Sequence, residues 1–88
     1  MSFTGMDIGQ VRSLATQFQA KADEIEGIMR QLTGALDSAQ WVGPDRERFK
    51  GEWDGQYCAS LRQVAEGLRG AARTADQNAT QQEQASNA

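Results

Sequence analysis

The stretch Trp41-Val42-Gly43-Pro44-Asp45 constrains this chain more than any other, because it holds the only proline in 88 residues. A proline inside a helix removes a hydrogen bond and clashes with the preceding turn. Long runs with helical apolar spacing lie on either side of it. The expected architecture is therefore all-α, an antiparallel helix-turn-helix hairpin. One domain spans 7–80, with a helix over 7–40, a turn over 40–44 and a helix over 44–80. Flexible segments are expected at 1–6 and 81–88, where no large apolar residue anchors the tail.

The first helix has a legible start. Asp7 with Gln10 three residues later fits a capping box, and Met6 with Val11 fits the accompanying apolar staple. From there Val11, Leu14, Ala15, Phe18, Ala22, Ile25, Ile28, Met29, Leu32, Ala35, Leu36 and Ala39 make one apolar face with threes and fours dominating, close to heptad spacing, its seam positions being Val11, Phe18, Ile25, Leu32 and Ala39 with Leu14, Lys21, Ile28 and Ala35. Lys21 is the one charged residue on that stripe. Its stem is expected to lie along the apolar face with its ammonium in water, the other reading being a charge pair across a subunit interface. Asp23, Glu24 and Glu26 form an acidic cluster without the alternating ligands of a calcium loop, which reads as a solvated face.

Pro44 suits the first position of the second helix, where a missing N–H is no loss. Asp45 and Glu47 favour the positive end of its dipole. Its stripe runs Phe49, Trp53, Tyr57, Leu61, Val64 and Leu68, then tapers to alanine. Cys58 falls on the shoulder of the stripe, level with Ala65 and Ala72, as a small packing residue.

Six glycines lie inside the helices: Gly27, Gly34, Gly51, Gly55, Gly67 and Gly70. Each costs about 1 kcal/mol relative to alanine. Two thin rods of about 50 Å touching along one line bury little, and each apolar stripe is wider than one partner helix covers. The expected solution is a second hairpin, giving a dimeric four-helix bundle. The large apolar residues of both stripes are thus expected in a hairpin or dimer core.

Composition narrows the function. Histidine is absent, which removes the commonest general base and metal ligand. The reading is not an enzyme, with no catalytic residue, cofactor or metal. A net charge of -3 lacks the basic excess of small nucleic-acid binders, so no nucleic acid is expected. One cysteine allows no internal disulfide. No apolar run approaches the roughly 20 residues of a membrane span, and the first residues do not resemble an ordinary signal peptide.

Trp41-Val42-Gly43 at a hairpin turn, with Phe49 and Trp53 following, resembles the WXG-motif family of small type VII (ESX) secretion substrates, the ESAT-like helical hairpins. The resemblance spans about Asp7 to Thr80. It implies head-to-tail pairing with a second WXG-type subunit. It implies export from a bacterial cytoplasm without a cleaved signal peptide, through a complex driven by an FtsK-like ATPase, and for some members a role as export partner of a larger toxin or effector. It also makes Trp41 and Gly43 the export and recognition motif. In that family a Tyr-x-x-x-Asp/Glu motif from the partner completes the signal. Here the only tyrosine, Tyr57, is followed at that spacing by Leu61, which tilts the expectation from homodimer to heterodimer.

Three matters stay open on sequence grounds. Trp41 either plugs the end of the core or stands out as a binding anchor. Gly43 serves either a positive φ or the close approach of another surface, the second favoured because Pro44 pushes its predecessor towards extended backbone. A cytosolic coiled-coil adaptor or chaperone shares the expected fold. A membrane-active amphipathic protein is the other alternative, disfavoured by three basic against five acidic residues over 7–40 and six of each over 41–80, where interfacial helices are Lys/Arg-rich.

Overall fold

A computed structural model describes residues 5–87, and they form an all-helical chain of extents 66 × 23 × 17 Å. Helix α1 is Ile8–Ser38, α2 is Pro44–Glu52, and α3 is Cys58–Asn87. A five-residue π-helical turn, Trp53–Tyr57, joins α2 to α3 without interrupting the rod. No strand occurs among the described residues. The flexible segment expected over 1–6 falls at 1–4 outside the described residues, as does residue 88 of the expected tail. The second rod does not stop at Thr80; the polar stretch after it continues as helix to Asn87.

Local chemistry sets the ends. Asp7 caps α1, its Oδ1 accepting from Gln10 N–H at 3.0 Å. Gly43 caps α2 with φ 130° and ψ 179°, a combination open almost solely to glycine. Nothing lies within 4 Å of where a Cβ would stand on Gly43. Positive φ, and not close approach within the chain, is what this glycine supplies. The extended ψ satisfies the restriction imposed by Pro44, so both demands on the residue are met at once.

The two rods meet along a line of small side chains. Ala15, Ala22 and Met29 on α1 and Cys58, Ala65, Ala72 and Ala79 on α3 are the buried residues, at every seventh position. Short side chains allow close backbone approach, and antiparallel helices in heptad register keep these positions facing. None of the large residues expected in a core is fully buried by the hairpin itself. Val11, Phe18, Ile25, Leu36, Trp53, Leu61 and Leu68 are half-buried. Leu14, Ile28, Leu32, Phe49, Tyr57 and Val64 are exposed. As a hairpin core that expectation is corrected: the seam lies one position away, on the alanines, because bulky residues would hold the rods apart.

The two flanks of the seam differ. Positions one before and three after each seam residue are Leu14, Phe18, Lys21, Ile25, Ile28 and Leu32 on α1 and Tyr57, Leu61, Val64, Leu68, Ala71, Ala75, Asn78 and Gln82 on α3. In an antiparallel pair these positions point to the same side, so one side of the hairpin is mostly apolar, interrupted by Lys21 and turning polar towards the end of α3. The opposite flank is polar. There Arg69 pairs with Asp23 at 2.8 Å and also with Glu26, and Arg12 reaches Glu83 at 3.6 Å. The acidic cluster is thereby occupied as a solvated, ion-paired surface. Lys21, on the apolar side, turns out to Glu24 at 3.1 Å.

Enlarging the seam should cost more than altering the exposed turn. Ala65→Leu is expected to lower stability by about 1–3 kcal/mol through overpacking, while Val42→Ser changes it by less than about 0.5 kcal/mol. Urea unfolding followed by far-UV circular dichroism checks both.

Candidate recognition site at the hairpin turn

The turn end gathers most of the aromatic side chains. After α1 stops, Trp41 N–H donates to the Ala39 carbonyl at 2.9 Å, a tight reversal that throws the indole back over α2. Its ring lies 5.5 Å from that of Phe49, tilted by 50°, a favourable aromatic geometry. Trp41 nevertheless remains 40% exposed, and Val42 beside it is 97% exposed. One ring therefore both covers the end of the hairpin and presents an amphipathic surface outwards.

Next to it, Phe49 and Trp53 line an open apolar groove of about 310 Å³ with Leu32, Ala35 and Leu36. Trp53 is anchored through its polar edge: Nε1–H donates to Thr33 Oγ1 at 2.8 Å, and Thr33 donates to the Met29 carbonyl at 2.9 Å. The hydroxyl uses both its donor and an acceptor site, which fixes the indole orientation. Thr33 was not legible as a site residue; an indole and a threonine 20 positions apart carry no shared pattern. Tyr57 lies 6.3 Å from Trp53, ring to ring, and is exposed, so the hairpin by itself does not bury it.

On the other side of the turn, charge locks α1 to α2. Asp37 pairs with Lys50 at 3.1 Å and with Arg46 at 3.5 Å, and Lys50 also pairs with Asp54 at 3.0 Å. Hydrogen bonds to Asp54 and then Asp37 raise the Lys50 ammonium above its ordinary value of 10.5. Its contribution to stability is complete below that value and is lost as pH rises through the raised one. The group is open to solvent, so the contribution is small and salt-sensitive. Cys58 is buried in the seam. No cluster of metal-ligating side chains is found among the described residues.

An antiparallel hairpin with a Trp-Val-Gly turn, an apolar face and an aromatic corner defines a small all-helical protein with an uncovered apolar flank. The family model WXG100, described as proteins of 100 residues with WXG, matches residues 5–86, and the chain belongs to that family of ESAT-like type VII secretion substrates. No curated protein and no solved structure gave a significant match. Members of the family are small secretion-associated proteins that generally work in pairs and carry no signal peptide. In this chain, no described helix is long and apolar enough to cross a membrane.

Three substitutions probe the corner and the helix that leads to it. Gly43→Ala is expected to cost about 1–3 kcal/mol, because alanine must adopt a backbone region it rarely enters. Gly34→Ala, at a helix-interior site with open space around it, should stabilise by about 1 kcal/mol. Thr33→Val should cost about 1 kcal/mol by leaving the indole N–H unpaired. Thermal melts of the three variants give the comparison, and opposite signs for the two glycines are the expected outcome.

Proposed function

We propose that this chain is one half of an exported pair in a type VII (ESX) secretion system. Its apolar face packs against a second WXG-type hairpin to complete a four-helix bundle. The observation that carries this reading is the one-sided distribution of exposed residues: Leu14, Ile28, Leu32, Phe49, Tyr57 and Val64 are uncovered on the flank away from the ion pairs. Full burial of such a side chain is worth about 1.5–3 kcal/mol, and a matching hairpin recovers that term along the whole rod.

The aromatic corner then acts as the recognition end. Trp41 and Gly43 form this chain's part of an export signal read by an FtsK-like ATPase, with Trp41 as the anchor side chain and Gly43 setting its angle of presentation. A heterodimer is favoured over a homodimer, since Leu61 stands four residues after Tyr57 where the motif needs an acid, and the Tyr-x-x-x-Asp/Glu signal then has to come from the partner. A larger toxin or effector bound to the pair is the cargo for which such a subunit serves as export partner. No chemistry is assigned to the chain; its action is protein–protein binding.

Two measurements test the reading. In cells with an active secretion ATPase the protein is expected in the culture supernatant, and inactivating the ATPase should abolish this. Equal retention in both strains, with the partner co-produced, favours a cytosolic adaptor or chaperone. Trp41→Ala should lower export at least about tenfold while the pair still co-purifies, because a side chain that remains part-exposed contributes little to folding. Loss of the pair instead would make Trp41 a structural plug. Release of dye from anionic liposomes at neutral pH would favour the membrane-active alternative.

A further inference from the structure

The second rod contains one residue more than a straight α-helix can align. Its buried positions Cys58, Ala65, Ala72 and Ala79 are seven apart, and the same spacing carried back towards the turn reaches Gly51 and Pro44. Both are exposed. In that phase Phe49 and Trp53 would project away from α1. The residues that lean on α1 are offset by one: Arg46, Lys50 and Trp53 are half-buried, Arg46 and Lys50 hold Asp37, and Trp53 holds Thr33.

The offset has a visible cause. Cys58 N–H bonds to the Trp53 carbonyl five residues back, the signature of a π-turn, which accommodates one extra residue within an α-helix. One residue corresponds to about 100° of helix rotation. Gly55 sits inside this turn, is exposed, and has nothing within 4 Å of its Cβ position.

We infer that the π-turn at Trp53–Tyr57 is the element that puts Phe49 and Trp53 into the same apolar face as Leu61, Val64 and Leu68, with Gly55 as the supernumerary residue. The specificity of the docking face at its aromatic end is thus set by a one-residue insertion. Deleting that residue leaves a plain α-helix with both halves still in phase. Adding a second residue exceeds what one π-turn absorbs and swings the aromatic pair off the face. The placement stands on the hairpin's own geometry; its consequence for pairing rests on the docking role proposed above.

Three variants of the full chain test this: deletion of Gly55, insertion of one alanine after Gly55, and deletion of Gly67 from the regular part of α3. Nuclear Overhauser contacts from the Trp53 indole to Leu32 and Leu36 methyls report the placement. They should persist when Gly55 is removed and vanish when alanine is inserted. Removing Gly67 should lower the unfolding midpoint, because Cys58 and Ala65 then fall out of phase with Ala72 and Ala79. Association with the pairing subunit, or with itself, should stay within about threefold on loss of Gly55 and weaken at least about tenfold on insertion. Loss of the contacts or of folding on removing Gly55, or their survival after insertion, overturns the inference. Contacts that follow the expected pattern while association ignores it uphold the phase assignment and remove the docking role.

Discussion

The alanine seam is the constraint from which the rest of the molecule follows. Ala15 and Ala22 against Ala65, Ala72 and Ala79 permit two helices to run side by side at close range. That closeness leaves most of the larger apolar residues on one side, with Met29 the exception within the seam. The polar side is closed by Arg12 and Arg69 reaching across to acids on the other helix. Exposed ion pairs of this sort contribute little energy each, but they decide which flank faces water. The other flank is left mostly apolar, with Lys21 as an interruption, and the described helices do not cover it.

The turn is governed by a different rule. The rods end where Gly43 takes a backbone conformation other residues avoid, and Pro44 starts the return helix with φ already set. Together they fix the angle at which Trp41 folds onto Phe49. The groove behind it depends on the Thr33 hydroxyl, which holds Trp53 by its polar edge. Backbone geometry places one tryptophan and a side-chain hydrogen bond the other. The corner is consequently more rigid than its exposure suggests, and an ordered amphipathic surface loses less entropy on binding than a loose one.

Much of this was legible in the residues. The proline, the cap at Asp7, the two apolar runs and the Trp-Val-Gly turn are local signals, and the hairpin follows from them. The seam was harder to place, because periodicity weighs large side chains and the contact belongs to small ones. Leu14 and Ile28 draw the eye to a position one step from Ala15 and Met29. The spacing of Cys58, Ala65 and Ala72 was visible, yet it read as a shoulder. For Gly43, pre-proline restriction argued for extended backbone and against positive φ; the glycine meets both because ψ, and not φ, carries the extended component. The π-turn had no local signal. It appears only when the phase of Phe49 and Trp53 is compared with that of the alanines downstream, and the notion of one straight helix conceals it. The tail after Thr80 lacks apolar anchors, and its continuation as helix draws on good intrinsic formers such as glutamine and alanine and on Glu83 meeting Arg12.

The proposed pairing makes the hairpin half of a core. Sedimentation equilibrium of the purified chain, paired with urea unfolding across micromolar concentrations, tests it most directly. Half of a core should give either association with an unfolding midpoint that rises with protein concentration, or, when the pairing subunit is required, a loosely packed chain without a cooperative transition until that subunit is added. A monomer that unfolds cooperatively, with a midpoint independent of concentration and unchanged by a partner, would contradict it.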